Sequence, residues 1–409
     1  MIGFDLTGEQ RELKALARKF SEQEIIPRAR EYDDKEIFPR DICEKAFAAG
    51  LMNFGVPREF GGPGLGILDT CIIQEELNYG CSGISNSISA NDLGALPIVI
   101  AANEDQKRTY LSALTEKLKF CAFAITEPGA GSDVAAMSTT YRREGDSFVL
   151  NGTKHFISNG SMADWLVTFA TSDKRLKHRG ISCFVFPANW PGITRNRMHG
   201  KLGQRAADTG EIVYDSLRIP LDSIVGEEGE GFKYAMATFD RSRPEIGAIA
   251  TGVSQRALDE CLKYSRQRTA FGQPIASFQA IQFMMADMAV SIEAMRLLTY
   301  KAAWLVDCGE PRNVLSAYAK LFGSEACMKI TTDAVQIFGG YGYMKDYPVE
   351  KLMRDAKIMQ LYEGTSQIQR LVIAREVLMP RQEPPPEVGQ PKEAEEAEKS
   401  QAEQAPATV

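Results

Sequence analysis

The chain has 409 residues, of which 44% are hydrophobic and 25% charged, which is enough apolar material for a large core and more than one domain. Its formal net charge is −7 and no basic stripe alternates with aromatic residues, which argues against nucleic acid and anionic membranes as partners. No apolar run reaches the ~18 residues of a membrane-spanning helix, and the eight cysteines and three histidines form no metal-binding or disulfide pattern. A polar helical pattern follows the first residues directly, without a signal-peptide core, so a cytoplasmic location is expected.

The first part of the chain is predicted to be helical, because its apolar residues recur with the period of a helix. Five helices are predicted there, over 7–33, 38–51, 68–79, 85–102 and 104–116. A glycine-rich run at 61–66 resembles a dinucleotide-binding loop only in part, since no strand precedes it and Ile67 stands where the third glycine of GxGxxG belongs. We therefore interpret this run as a turn.

The periodicity changes near residue 120 and changes back near residue 231. Short β-rich runs broken by Gly, Asn, Asp and Pro occupy 148–150, 165–170, 181–186 and 211–214. Helices are predicted again over 248–267, 278–306 and 314–338. The expected parts are a helical domain (1–120), a β domain (121–230), a helical bundle (231–380) and a Pro- and Glu-rich tail (381–409) that is predicted to be disordered.

The stretch 359–375 contains the strongest candidate for chemistry. A single carboxylate, Glu363, lies between Tyr362 and Gly364, directly before a segment with helical spacing, and Thr365 is a good N-cap residue for that helix. A carboxylate at the mouth of such a loop can act as a general base, and Gly364 lets the backbone approach a ligand closely. Taken alone, the residues favour an exposed glutamate in a surface turn.

The residues Tyr-Glu-Gly-Thr-Ser-Gln-Ile-Gln at 362–369 resemble the segment that carries the catalytic glutamate of the acyl-CoA dehydrogenases, and the resemblance extends over about 5–378. It implies an α+β fold with an N-terminal helical domain, a middle β-barrel-like domain and a C-terminal four-helix bundle. It also implies a homotetramer in which Glu363 removes the α-proton of a CoA thioester while the β-hydride passes to FAD, with electron-transferring flavoprotein as the acceptor. Ser242 stands at the helix position where some branches carry the base, so that role is left to Glu363.

Two segments resemble the flavin-binding parts of this family. The loop 126–133 is by itself a generic Gly-Pro turn, whereas the resemblance places the following residues on the flavin ring and the start of the pantetheine channel: Phe123, Ile125, Thr126 and Ser132. In the segment 154–160, Phe156 replaces the usual tryptophan and Ser158 the usual threonine, which keeps an aromatic face and a hydroxyl donor. Trp165 lies in a β-rich run and is expected in the core.

Further cofactor contacts are implied in the last part of the chain. The Arg-x-x-Phe-Gly turn at 268–272 is by itself a plausible helix end, but in the family it reaches the FAD pyrophosphate of a neighbouring subunit. The implied contacts are Arg268, Phe271, Gln336, Gly340, Thr365 and Gln367. Because two subunits would complete one FAD site, an obligate oligomer is expected.

The resemblance also implies a substrate-binding set, which comprises Ser89, Leu93, Ser132, Asp240, Arg243 and Gly364. Asp240 and Arg243 could instead be a charge cluster at a helix start. Asp92 stands on the helix that walls the acyl pocket in the family, where straight-chain enzymes tend to have Ser or Thr, and it resembles the second base of dehydrogenases acting on alicyclic acyl-CoA thioesters. It could equally point outward or pair with an arginine.

Several functions therefore remain open. A cyclic acyl-CoA with Asp92 as an auxiliary acid or base is one expectation, and a short-chain, medium-chain or aryl-substituted thioester is another. An acyl-CoA oxidase is disfavoured because the chain has no additional C-terminal helical domain. A non-catalytic flavin- or CoA-binding protein would be expected to have lost the base, and Glu363 is present.

Overall fold

The computed structural model describes residues 3–310 and 313–379, so the predicted disordered tail at 381–409 lies outside the described residues. The N-terminal part is helical, with helices α1 (Gly8–Phe20), α2 (Ala29–Lys35), α3 (Arg40–Ala48), α4 (Ile67–Gly80), α5 (Ser82–Ala101) and α6 (Glu104–Glu116). The single helix predicted over 7–33 is wrong in its middle. There a π-helix (Ser21–Ile25) is followed by a 3₁₀ turn (Ile26–Arg28) whose proline lacks the N–H that a continuous α-helix needs.

The glycine-rich run at 61–66 is a turn, as predicted, and Gly61 adopts the left-handed conformation with φ +82°. The helix α5 that follows α4 is buried along most of its length. A helix in this position directs side chains into the interior on every side, so a polar residue on α5 must be partnered or functional.

The middle part is a β domain, and the four predicted β-rich runs fall within its strands. The strands are β1 (Cys121–Ala124), β2 (Thr140–Glu144), β3 (Ser147–Ser158), β4 (Trp165–Thr171), β5 (Ile181–Pro187), β6 (Ile193–Arg197), β7 (Thr209–Pro220) and β8 (Ile224–Val225). They form one sheet in the order β6-β7-β3-β2-β4-β5-β8, with β1 paired in parallel with β4. Trp165 is buried in the core between this sheet and the helices, as expected.

The last part returns to helices, namely α7 (Gly231–Gln267), α8 (Gln279–Asp307), α9 (Asn313–Phe338), α10 (Val349–Ala356) and α11 (Ser366–Leu378), with a small hairpin of β9 (Thr269–Ala270) and β10 (Gln273–Pro274) after α7. The prediction that the first of these helices begins at residue 248 was wrong, because α7 runs through Pro244. A proline inside a helix leaves the carbonyl four residues earlier without its usual donor. Here that carbonyl, on Asp240, accepts a hydrogen bond from Ser316 Oγ on α9 at 3.3 Å, which compensates for the loss.

Helices of the first and last parts are joined by polar contacts. Asp307, at the end of α8, accepts the backbone N–H groups of Ile67 and Leu68 at 2.7 and 2.9 Å and so caps α4. Glu75 on α4 pairs with Arg296 on α8 at 2.9 Å. These contacts fix α4 relative to the C-terminal helices, and α5, which follows it, lies next to α7.

Two further findings concern membrane-spanning helices and the cysteines. No helix in the described ranges is long and apolar enough to cross a membrane. All eight cysteines are free thiols, and Cys308 is the one that is exposed.

Candidate active site

Glu363 lies in the loop that leads into α11, as predicted. Its backbone is left-handed, with φ +56°, and Gly364 follows with φ +85°. Gln369, in the first turns of α11, donates its side-chain amide to the carbonyls of both residues at 3.1 Å. Thr365 caps α11 by accepting the N–H of Ile368 at 3.2 Å. The helix therefore holds the loop and fixes the direction of the Glu363 side chain.

The carboxylate of Glu363 is partly buried and lies within the influence of one hydroxyl and two positive charges. Ser242 Oγ on α7 donates a hydrogen bond to Glu363 Oε2 at 2.8 Å. Burial raises the pKa of Glu363, while the Ser242 hydrogen bond and the positive charges of Arg243 and Lys320 oppose that rise. This environment suits a general base, because the carboxyl is more basic than in water and its ionised form is still stabilised.

Lys320 is a functional candidate that the sequence did not reveal. It lies on α9 with no exposed surface, and its Nζ has no hydrogen-bond partner among the described residues. Burial lowers its pKa to about 8, and the negative charge of Glu363 opposes that decrease. A buried, unpartnered ammonium group near a carboxylate favours the ionised form of that carboxylate.

Asp92, on α5, does not point outward, and it has no ion pair with an arginine in the part of the chain that the structure describes, so neither alternative matches the structure. Its side chain is 7% exposed, and its Oδ1 accepts the N–H of Gly55 at 3.1 Å. Its Oδ2 has no hydrogen-bond partner in the described part of the chain. Burial raises the pKa of Asp92 to about 7, although the Gly55 N–H lowers it in part.

A small cavity lies beside Asp92, between the ends of α4, α5 and α7. It is lined by Gly55, Ile67, Thr70, Asp92, Ala95, Leu96, Val99 and Glu245. The cavity has a volume of about 20 Å³, enough for one water molecule. It admits a single water-sized group rather than a chain or a whole ring.

Glu245 is the second functional candidate that sequence reasoning missed. It lies one helical turn beyond Ser242 on α7 and lines the same cavity as Asp92. Burial raises its pKa well above the usual range, the negative charges of Asp92 and Glu363 add to the rise, and a hydrogen bond with Gln74 opposes it. Glu245 is therefore coupled electrostatically to both Glu363 and Asp92. The signal in the sequence was its position three residues after Ser242.

The two predicted flavin segments are adjacent in space. His155 N–H on β3 donates to the carbonyl of Thr126 at 2.8 Å, and the buried side chains of Lys154 and Glu127 form an ion pair at 2.8 Å. Burial alone would raise the pKa of Glu127, but the Lys154 charge and hydrogen bonds such as that from Thr139 N–H lower it to about 2. The loop 126–133 is thus fastened to the strand that carries Phe156 and Ser158.

The same segments present an open face. Phe156 is 62% exposed and has φ +59°, so its ring stands away from the core. A Cβ atom added at Gly129 or Gly131 would meet nothing within 4 Å, so the backbone of the loop faces open space. Of the other predicted contacts, Phe123 and Ile125 are buried, Thr126 and Ser158 are partly buried, and Ser132 is exposed. An aromatic ring beside unobstructed backbone fits a flat polar ring such as a flavin.

A separate cleft of about 530 Å³ lies at the C-terminal end of α7. It is lined by Tyr264, Arg268, Ile275, Ile337, Phe338, Gly339, Gly340, Tyr341 and Met344. Arg268 is the C-cap residue of α7, and its guanidinium lies 5.6 Å from the centre of the Tyr341 ring. A Cβ atom at Gly339 or Gly340 would also meet nothing within 4 Å. A cation beside open glycine backbone fits a phosphate group.

Three of the remaining predicted cofactor contacts have exposed side chains. Phe271, Gln336 and Gln367 are exposed, and Phe271 is 96% exposed at φ +49°. None of the described residues in the flavin segments lines the cleft at Arg268, so the two halves of the predicted FAD site are separate within one chain.

The predicted substrate contacts are also placed. Asp240 Oδ1 and Arg243 Nη1 form an ion pair at 2.8 Å on α7, next to the base. Ser89 donates its hydroxyl to the Ser85 carbonyl at 3.0 Å, and Leu93 packs against the core that contains Phe123. Neither Ser89 nor Leu93 lines the described cavity beside Asp92.

Comparisons with known proteins agree with this arrangement. Three family models match the chain, described as acyl-CoA dehydrogenase N-terminal domain (residues 7–117), middle domain (122–217) and C-terminal domain (229–378). The chain is 43% identical over 381 residues to a probable mitochondrial medium-chain specific acyl-CoA dehydrogenase 2 of Caenorhabditis briggsae, and the match covers 92% of each protein.

Two solved structures share the fold. Butyryl-CoA dehydrogenase from Megasphaera elsdenii is 38% identical with a TM-score of 0.89, and the match covers 92% of this chain and 100% of that one. A chain from a study of the electron transferring flavoprotein of Acidaminococcus fermentans is 43% identical with a TM-score of 0.90, with the same coverage of 92% and 100%. The chain thus belongs to the acyl-CoA dehydrogenase family, a family of FAD-dependent oxidoreductases.

Proposed function

We propose that this chain catalyses the α,β-dehydrogenation of a CoA thioester and that Glu363 is the base. The observation that carries the proposal is the setting of the Glu363 carboxylate. It accepts a hydrogen bond from Ser242 at 2.8 Å, is stabilised by the charges of Arg243 and Lys320, and stands on a loop clamped by Gln369. A carboxylate held in this way can remove a weakly acidic C–H proton without moving far.

The residues of the chain have separate tasks in this scheme. Glu363 takes the α-proton, and its backbone N–H donates to the thioester oxygen, which becomes more negative as the proton leaves. Phe156, Ser158 and Thr126 would hold the flavin ring, and Arg268 of a neighbouring subunit would bind the pyrophosphate. Bound FAD supplies the acceptor for the β-hydride.

Replacement of the base tests the proposal directly. Glu363→Gln keeps the size of the side chain, but the amide cannot take a proton, so flavin reduction by a CoA thioester should slow by several orders of magnitude. The variant should retain FAD and still bind the thioester, as measured by titration of the flavin spectrum. Reduction at a rate close to that of the parent enzyme would place the base elsewhere.

We propose that the working form is a homotetramer with FAD bound between subunits. The helix α8 supports this, because four large apolar side chains stand exposed along it at every seventh position: Phe283, Val290, Leu297 and Trp304. A helix with such a stripe is usually covered by another helix. The exposed Phe271 and the open cleft at Arg268 are also consistent with a partner subunit that completes the cofactor site.

For the substrate, we propose a compact acyl group, with a saturated or unsaturated ring such as cyclohexane- or cyclohexene-carboxyl as the first candidate and Asp92 as an auxiliary acid or base. A buried carboxylate with an unpartnered oxygen is costly unless it acts on something, which supports a role for Asp92 toward the acyl group. Short-chain, medium-chain and aryl-substituted thioesters are the alternatives. Anaerobic flavin bleaching by straight, branched, cyclic and aryl CoA thioesters separates these classes.

The electron acceptor and the location are proposed on other grounds. An electron-transferring flavoprotein is the proposed acceptor, given the similarity to a chain from a study of such a protein. A cytoplasmic location is proposed because the eight cysteines are free thiols, as in reducing compartments. A non-catalytic flavin- or CoA-binding role is the rival function. It requires that no thioester of the panel bleaches the flavin.

A further inference from the structure

The cavity beside Asp92 has an unusual charge balance. Of its lining residues, Asp92 and Glu245 are acidic and Thr70 is the other polar side chain, while the described lining contains no Lys, Arg or His. Asp92 is 7% exposed, yet its Oδ2 has no hydrogen-bond partner among the described residues. The cavity therefore has an unsatisfied acceptor that is directed at its contents.

Two carboxyl groups around one small cavity repel each other when both are ionised, and the protein provides little compensation. Asp92 receives one backbone N–H, from Gly55 at 3.1 Å, and Glu245 receives the side chain of Gln74. The basic residues of the active site, Arg243 and Lys320, act on Glu363 instead. Burial raises the pKa of both carboxyls, so a bound proton keeps the pair close to neutral, and a cationic group on the ligand can take the place of that proton.

We propose that Asp92 and Glu245 form a subsite that takes a protonated nitrogen carried by the distal part of a compact acyl group. This inference rests on the proposed function, in which Glu363 acts on the α-carbon of a bound CoA thioester. Glu245 stands one helical turn from Ser242, and Ser242 contacts Glu363, so the subsite is a short distance beyond the reacting carbons. A nitrogen about one ring away from the thioester would reach it.

A metal ion and an anionic acyl group are poorer occupants. Within the described residues no group of three or more His, Cys, Asp or Glu side chains could hold a metal, so the carboxyl pair lacks the ligands that a divalent ion needs. A second carboxylate on the acyl group would bring a third negative charge into the cavity. An ammonium group, in contrast, offers N–H donors to the free oxygen of Asp92 and neutralises the pair.

Two isosteric thioesters test the subsite. Piperidine-4-carboxyl-CoA and cyclohexanecarboxyl-CoA have rings of the same size, but the ring nitrogen of the first is protonated near neutral pH. Their dissociation constants are measured by titrating the flavin spectrum of the FAD-loaded Glu363→Gln variant, which should bind thioesters without turning them over. Butyryl-CoA, which is too short to reach the subsite, serves as the reference ligand.

The expected result is that piperidine-4-carboxyl-CoA binds at least about tenfold more tightly than cyclohexanecarboxyl-CoA. A close charge pair in a partly buried site contributes an affinity gain of this size. Adding Asp92→Asn and Glu245→Gln should abolish or reverse that preference, with the butyryl-CoA affinity of each variant as the internal reference. These amides preserve the shapes of the two side chains. If the variant with all three substitutions (Glu363→Gln, Asp92→Asn and Glu245→Gln) fails to retain FAD, Glu245→Gln added alone to Glu363→Gln should still reduce the preference.

Equal affinities, tighter binding of the cyclohexane ring, or a preference that survives both amide substitutions would overturn the subsite. These outcomes are distinct from a failure of the proposed function. Flavin reduction by butyryl-CoA in the unmodified enzyme tests the dehydrogenase activity independently of the carboxyl pair.

Discussion

Ser242 offers a quantitative test of how the base is controlled. Ser242→Ala removes the hydroxyl that donates to Glu363 Oε2 at 2.8 Å. A hydrogen bond to a charged group contributes about 1.5–3 kcal/mol, and each ~1.4 kcal/mol is a factor of ten in an equilibrium. Because Glu363 is only partly buried, water can replace part of the lost bond, so the lower end of the range applies. The ionised fraction of Glu363 at low pH should therefore fall by about tenfold.

The sign of the effect depends on pH. The Ser242 hydrogen bond lowers the pKa of Glu363, so its removal raises that pKa. Below the pKa of Glu363 in the parent enzyme the variant should reduce its flavin about tenfold more slowly than the parent, and the difference should shrink as the pH rises through the raised pKa. At alkaline pH both proteins have an ionised base and the rates should converge. The midpoint of the rate against pH should thus move to higher pH.

The assay is stopped-flow flavin reduction under anaerobic conditions, with saturating butyryl-CoA across the neutral and mildly alkaline range. Ser242→Thr, which keeps a hydroxyl at the same position, is the matched control and should follow the parent profile. If Ser242→Ala slows reduction equally at every pH, the hydroxyl contributes to packing or substrate position. An unchanged profile, or a midpoint at lower pH, would refute the reasoning.

Three other predictions can be checked with the same preparations. Asp92→Ser should slow flavin reduction at saturating cyclohexanecarboxyl-CoA far more than at saturating butyryl-CoA, and equal losses on both thioesters would assign Asp92 to packing. Arg268→Ala should release FAD more readily, seen as a lower flavin-to-protein absorbance ratio after gel filtration, whereas Arg268→Lys should retain more of it; full retention by the alanine variant would rule out the pyrophosphate contact. Deletion of 381–409 should leave the Tm and the subunit number from light scattering unchanged, because this Pro- and Glu-rich segment has little apolar surface to bury, and a loss of tetramer would contradict that expectation.

Local patterns were sufficient to predict most of the elements and the position of Glu363 in the loop before α11. Glu363 precedes an N-cap residue and a segment of helical period, and each of these features depends on residues close in sequence. Helix α7 was misplaced because the effect of Pro244 depends on a distant donor, Ser316, which satisfies the carbonyl of Asp240. The local rule for proline could not include that contact.

The rest of the site depends on convergence between distant helices. Glu245 and Asp92 are far apart in sequence, on α7 and α5, and they meet at one cavity only because α4 and α5 pack against the C-terminal helices. The sequence around Lys320 is typical of a lysine on a helix surface, but in the folded chain Lys320 is completely buried. A single sequence reports the residue types but not which faces of these helices come together.

The left-handed backbone of Glu363 has a consequence for how such an enzyme evolves. A non-glycine residue at φ +56° carries steric strain, and this one also buries part of a carboxylate, so the fold is less stable than it would be with a glycine there. Substitution of the base should then be tolerated, or even favoured, by selection for stability alone. A lineage released from the need for catalysis would be expected to lose this residue early, before the packing residues of the core. Under the proposed function, Glu363 in this conformation is thus kept for its chemistry at a cost in stability.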